Sequence, residues 1–377
     1  AGVPLAQAAV RDTKRAPHPP HPAARRMGTC PCTIRPQGHS GVIPVSAVSA
    51  LKGGNSDKSM PTNGCESSPT SNVLVTGATG LLGRQVMRVF EAKGWNLRGL
   101  AFSRAKGSLV KCDLFDSLAL AAQFAEFRPQ IVVHCAAERR PDSLEADREY
   151  AMRINEGVVR SVSELCKEHG SWLIYLSTNY VFDGTAAPYA EDAVPKPLNV
   201  YGESKRRGEL ALQEVLPEAA IVRVPLLHGP IEKLGETSVD ELLNLIRDGA
   251  RKFDNWQERY PTNVEDLALI LERFATTKGL AKKGGSDPAL TGGVFHWQSK
   301  ERHTKYTMAL AIAEMAGIDA NEFVAVDTAP PEGSAPRPQF ERMLCTRLET
   351  LLRIDGQSQA FRSDFKESMR RHLTPFV

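Results

Sequence analysis

Two spacings in this 377-residue chain bring together residues that can do chemistry. The first is Gly77-x-x-Gly80-x-x-Gly83, which follows the apolar run Asn72–Thr76 and opens an amphipathic stretch ending at Gly94. Glycine at the first position permits a tight turn, at the second a close backbone approach to a pyrophosphate, and at the third close packing of helix on sheet. The pyrophosphate then faces the exposed N–H groups and positive dipole end of that helix. The second spacing is Tyr201-Gly-Glu-Ser-Lys205, where a helix start puts Tyr201 and Lys205 on one face at i and i+4. A buried ammonium beside a phenol favours the phenolate and lowers the phenol's pKa. Such a tyrosine can give a proton to a carbonyl oxygen while a nicotinamide delivers hydride to its carbon, and Lys205 would hydrogen-bond the nicotinamide ribose. Upstream, Leu176–Tyr180 ends an apolar strand, where the ligand-facing groups of open α/β sheets belong, and Thr178 is placed to hold a substrate oxygen. Thr178, Tyr201 and Lys205 form the candidate catalytic set.

The dinucleotide's identity is written at the end of the next strand. An acid there would accept from a ribose 2′-hydroxyl and repel a 2′-phosphate. The strand instead ends Leu100-Ala-Phe-Ser103-Arg104, with Lys106 close behind. A guanidinium matches phosphate in charge and geometry, so NADP is expected in preference to NAD. Asp113, after the third strand, is a further candidate, facing the adenine amino group or merely closing a turn.

These residues need a frame, and the chain supplies one. Strand Asn96–Phe102 follows the glycine turn and its helix; helix 117–127 leads to strand Ile131–His134. A long helix over 144–169 precedes strand Trp172–Leu176, and helix 203–215 precedes strand Ala220–Val224. Strands alternating with helices predict an α/β fold, a Rossmann-like doubly wound parallel sheet. After residue 225 the alternation loosens. We therefore expect an NADP-binding domain over 72–225 and a smaller substrate-side lobe over 226–377, interleaved with it. Residues 1–71, rich in His-Pro and Ser/Pro/Asn runs, read as a disordered or organelle-targeting leader, with Met27 or Met60 as possible starts.

Composition excludes several classes. Hydrophobic residues make up 42% and charged residues 24%, as in ordinary globular domains. The leader carries eight Lys/Arg against three acids, leaving 39 against 41 in the rest, so the folded body is no basic nucleic-acid binder. No run approaches eighteen apolar residues, so no membrane span is expected. Cys112, Cys135, Cys166 and Cys345 stand singly in apolar surroundings, as reduced core thiols of a cytoplasmic protein do. Cys30-Pro-Cys32 lacks a second pair, so no metal site is expected.

With these motifs on the page, the chain resembles the extended short-chain dehydrogenase/reductase family. Val75–Gly83, His134–Asp142, Tyr180–Gly184 and Tyr201–Lys205 resemble its dTDP-4-dehydrorhamnose reductase branch. Arg259–Asp266, Phe295–Trp297 and Thr304–Ala309, with His134–Asp142, are most similar to the regulatory (beta) subunits of methionine adenosyltransferase. The resemblance spans about residues 72–368. It implies cofactor contacts at Gly77, Thr79, Gly80, Leu81, Leu82, Gly83, Ser103, Arg104, Ala136, Ala137, Asn155, Tyr201 and Lys205. It also implies an NADP-binding regulatory subunit that modulates S-adenosylmethionine synthesis by a catalytic methionine adenosyltransferase partner. The alternative is an NADPH-dependent reductase of a nucleotide-linked 4-keto sugar acting through Tyr201 and Lys205. Two departures stand out. Asn179 occupies a position where both groups carry Asp, and the C-terminal tail that docks on the partner in that family runs further than Val377. Arg139 and Arg140 are expected at the pocket rim, facing a phosphate or an acidic partner loop.

Overall fold

The computed structural model describes residues 71–280, 292–356 and 358–377. The leader, including Cys30 and Cys32, lies outside the described residues. From the N-terminal side the elements are β1 (Asn72–Thr76), α1 (Leu81–Ala92), β2 (Asn96–Ala101), β3 (Val110–Lys111), α2 (Ser117–Phe127) and β4 (Ile131–His134). There follow α3 (Pro141–Ala146), α4 (Arg148–Met152), α5 (Val158–His169), β5 (Trp172–Thr178), α6 (Val200–Val215) and β6 (Ala220–Val224). The C-terminal part holds β7 (Leu227–His228), α7 (Glu241–Arg247), β8 (Lys252–Asp254), β9 (Thr262–Asn263) and α8 (Val264–Leu280). It ends with β10 (Gly293–His296), α9 (Lys305–Ala316), β11 (Val324–Val326), α10 (Thr346–Leu352) and α11 (Phe365–Leu373).

The main sheet runs β3-β2-β1-β4-β5-β6-β10, with parallel pairing throughout. Its strands read as nearly continuous apolar runs because both faces are covered. Along β1, Val73 and Val75 pack with Val86 and Phe90 of α1 and Phe274 of α8, whereas Leu74 packs with Phe124 of α2 and Val162 of α5. Strand order reverses between β1 and β4, and ligands of such sheets bind at the carboxyl ends of strands flanking that point. A separate apolar cluster from α7, α9 and α11, including Leu243, Ile312 and Met369, builds the C-terminal lobe. Strand β10 leaves that part of the chain and extends the main sheet beside β6.

One expected element is corrected. The single helix over 144–169 is three, with a wide π turn at Arg153–Gly157 between α4 and α5. The break has a local cause: the Asp147 carboxylate accepts from Tyr150 N–H and restarts the helix as an N-cap. The π turn sets Asn155 inward, where its amide donates to the Glu138 carbonyl and to Ser204 Oγ, both at 3.0 Å. Helix α6 starts at Val200 rather than 203, because Asn199 caps Gly202 N–H at 2.8 Å. Tyr201 thus lies inside the first turn.

Among the described residues no helix is long and apolar enough to cross a membrane, and no cluster of three His, Cys, Asp or Glu could hold a metal. The four cysteines there are free, and burial pushes the Cys135 and Cys345 thiols up to about 12. His134, His228 and His296 are fully buried, which pushes each imidazole down to about 3. Between pH 7 and 5 these three imidazoles take up about two protons in all in the unfolded chain, which the folded chain refuses. Buried Glu341, pushed up to about 7, opposes this by holding about half a proton already at pH 7 and about half a proton more by pH 5 in the folded state. Unfolding free energy is therefore expected to fall by about 3 kcal/mol between pH 7 and 5, measurable by urea denaturation at both values. A flat profile would mean that the imidazoles are not buried as neutral groups.

Candidate functional site

The glycine turn leaves β1 at the switch point. Gly77 has φ +66°, and a Cβ there would lie 2.8 Å from Ala136 N, so the exits of β1 and β4 touch. At Gly83 a Cβ would lie 2.2 Å from the Gly77 carbonyl oxygen, so only glycine lets α1 pack against the turn. Gly80 caps α1 without any side-chain hydrogen bond, and the first turn carries no acid. Its N–H groups are thus free of an internal anion, which suits a pyrophosphate. Thr79, Leu81 and Leu82 continue this turn, and Ala136 meets it from beyond the end of β4, with Ala137 next in the chain. Beyond β2, Ser103 and Arg104 are exposed, and Arg104 donates to the Thr79 carbonyl at 2.8 Å. Asp113 accepts from Phe115 N–H at 3.0 Å, the turn-closing option for that residue.

The second half of the site gathers where β5 meets α6. Thr178 ends β5, and its hydroxyl donates to Asn179 Oδ1 at 3.3 Å and accepts from Tyr180 N–H at 3.2 Å. The rings of Tyr180 and Tyr201 meet edge to face at 5.8 Å. Lys205 is buried, donates to the Leu176 carbonyl at 2.7 Å, and stands 4.2 Å from the Tyr175 ring centroid. Burial pushes this ammonium down to about 7, against the pull of Glu209. The expected effect on Tyr201 is therefore corrected. Burial raises the phenol's pKa, and Thr178 and Arg139 oppose the rise without cancelling it. The ammonium is held by a carbonyl and a ring face. Asn155 Oδ1 and His134 Nε2 are buried without a hydrogen-bond partner among the described residues.

Sequence reasoning missed what the C-terminal lobe contributes. Asn179 donates to Glu341 Oε2 at 2.5 Å, Gln257 donates to the other carboxyl oxygen, and Gln257 also donates to Tyr180 Oη at 3.0 Å. The carboxyl absent at position 179 is thus supplied beside it by Glu341, from the C-terminal part of the chain. Arg259 pairs with Asp254 at 2.7 Å within the C-terminal part, and Arg337 with Asp142 of α3 at 2.6 Å, which ties that part to the helix after β4. Asn179 gave a signal as a departure from the expected acid; Glu341, in an irregular stretch, gave none. At the rim, Arg139 donates to the Glu236 carbonyl, and Arg140 N–H to Glu138 Oε1 at 3.1 Å.

Comparison with known proteins agrees with this arrangement. The family model for the RmlD substrate binding domain matches residues 71–373. The chain is 40% identical over 311 residues to methionine adenosyltransferase 2 subunit beta of Danio rerio, covering 82% of this chain and 92% of that one. It is 33% identical over 275 residues to a dTDP-4-keto-6-deoxy-D-glucose reductase of Streptomyces niveus, covering 72% and 88%. Among solved structures, dTDP-4-dehydrorhamnose reductase from Bacillus anthracis in complex with NADP superposes with a TM-score of 0.66 at 25% identity, covering 82% of this chain and all of that one. With the glycine turn, the Tyr201–Lys205 pair and the lobe in place, the chain belongs to the RmlD substrate binding domain family, in the group of methionine adenosyltransferase beta subunits.

Proposed function

We propose that this chain is an NADP-binding regulatory subunit that modulates S-adenosylmethionine synthesis by a catalytic methionine adenosyltransferase, with no turnover of its own required. The observation that carries the reading is the likeness to subunit beta proteins, which runs through both the cofactor half and the lobe. In this reading the Gly77–Gly83 turn holds the pyrophosphate and Arg104 the 2′-phosphate. Tyr201 and Lys205 line the nicotinamide end, where a bound cofactor would offer hydride. A ligand held only by the folded state also stabilises it by mass action, so NADP serves a structural subunit without reacting. The chemistry of the site favours holding over turnover: the Tyr201 phenol is raised, and Lys205 is committed to Leu176 and Tyr175.

The test adds the chain to a catalytic methionine adenosyltransferase and follows S-adenosylmethionine formation. A lower KM for methionine or a higher rate is expected, with Tyr201→Phe matching the parent. A second reading, reduction of a nucleotide-linked 4-keto sugar, is favoured by Thr178, Tyr201 and Lys205 gathering where β5 meets α6. It gains if keto-sugar-dependent NADPH oxidation occurs and Tyr201→Phe abolishes it.

A further inference from the structure

Three arginines of the dinucleotide half converge on one short loop after β7. Arg84 grips Glu236 through two hydrogen bonds, of 2.6 and 3.0 Å, and donates to the Pro230 carbonyl at 3.2 Å. Arg139 donates to the Glu236 carbonyl. Arg104 pairs with Glu232 Oε2 at 3.1 Å, and the same oxygen lies 3.5 Å from Arg84. The loop is stiff: Asp240 accepts from the N–H groups of Gly235, Glu236 and Thr237. Glu236 is nearly covered, and its pKa is lowered even though burial, the largest influence, pushes it up, because Arg84 and the Glu232 N–H more than offset that. Glu232 differs. Its side chain is 57% exposed and free to swing, while its carboxylate rests on the guanidinium assigned to the 2′-phosphate.

We infer that Glu232 sets cofactor selectivity by competing with the 2′-phosphate of NADP for Arg104. This rests on the reading of Arg104 as the phosphate contact. A phosphate arriving at Arg104 meets a cation already paired and an anion beside it. It must displace the carboxylate or bear its repulsion. NAD presents a neutral 2′-hydroxyl, which carries no such penalty and can donate to the same carboxylate. Glu232 therefore lowers NADP affinity while sparing or helping NAD, and Glu236 holds the loop in place throughout.

The test is calorimetric titration of the full chain with NADP and NAD, comparing the parent, Glu232→Gln and Arg104→Ala. The Glu232 side chain is 57% exposed, and its N–H bond to Glu236 is untouched by the change, so Glu232→Gln leaves the fold intact. Glu232→Gln is expected to tighten NADP about tenfold, equivalent to about 1.4 kcal/mol, and to leave NAD unchanged or weaker. An unchanged or weakened NADP affinity in Glu232→Gln, with Arg104→Ala still selectively weakening NADP, overturns this inference and leaves the cofactor reading standing. If Arg104→Ala changes neither cofactor's affinity, the assignment of Arg104 falls, and this inference with it.

Discussion

Replacing Gly83 with alanine is expected to weaken NADP binding by about a hundredfold, equivalent to about 2.7 kcal/mol. The added methyl would sit 2.2 Å from the Gly77 carbonyl oxygen and 3.0 Å from Ala78 Cα, both fixed backbone. Nothing there is the end of a flexible side chain, so α1 or the turn must move. Either shift spoils the aim of the N–H groups at the start of α1. The sheet beneath does not depend on that aim, and overpacking at one site costs about 1–3 kcal/mol, so the variant should fold. Calorimetric titration beside a thermal melt separates the two effects. A folded variant with unaltered affinity would show that the pyrophosphate does not lie on this turn.

The second large effect concerns a pair away from the cofactor. Glu209 on α6 is fully buried and receives two hydrogen bonds from Arg223 on β6, at 2.8 and 2.7 Å, with Ser177 and Arg206 completing its shell. Burial pushes this carboxyl up, but the Arg223 guanidinium and its hydrogen bonds outweigh it, and the pKa ends below the ordinary value. Glu209→Ala leaves the 2%-exposed Arg223 side chain without its counter-charge and should cost about 3–5 kcal/mol in urea denaturation. Removing both charges together, as Glu209→Met with Arg223→Met, should recover most of that loss, because the two desolvation penalties vanish with the pair. A single-variant cost below about 1 kcal/mol would place the pair among solvent-exposed bridges of little worth. Glu209 also works on the site: it is the main charge holding Lys205 against its burial.

The sequence and the structure meet most closely where physics is local. The parallel strands could be read because apolar runs such as Ile131–His134 are buried on both faces, and α2 matches its expected limits because Asp116 caps Ala119 N–H. The glycine turn was legible for the same reason, since each glycine answers to a contact within a few residues or at the adjacent strand exit. The helix break at Asp147 was not, because a capping aspartate reads like any exposed acid until a neighbouring N–H points at it. The buried polar cluster around Glu341 was least legible. Glu341, Gln257 and Asn179 meet across 162 and 84 positions of chain, and no periodicity links them. The expected partnership of Lys205 and Tyr201 misled for a related reason. Helical spacing fixes their common face, whereas the Leu176 carbonyl and the Tyr175 ring decide where the ammonium points.

The most direct test of the central claim is the mass of a mixture. The full chain and a catalytic methionine adenosyltransferase, combined at micromolar concentration, are followed by light scattering with and without NADP. A hetero-oligomer heavier than either component, more stable with NADP present, is the predicted result. Two species that keep their separate masses under both conditions would contradict the regulatory reading.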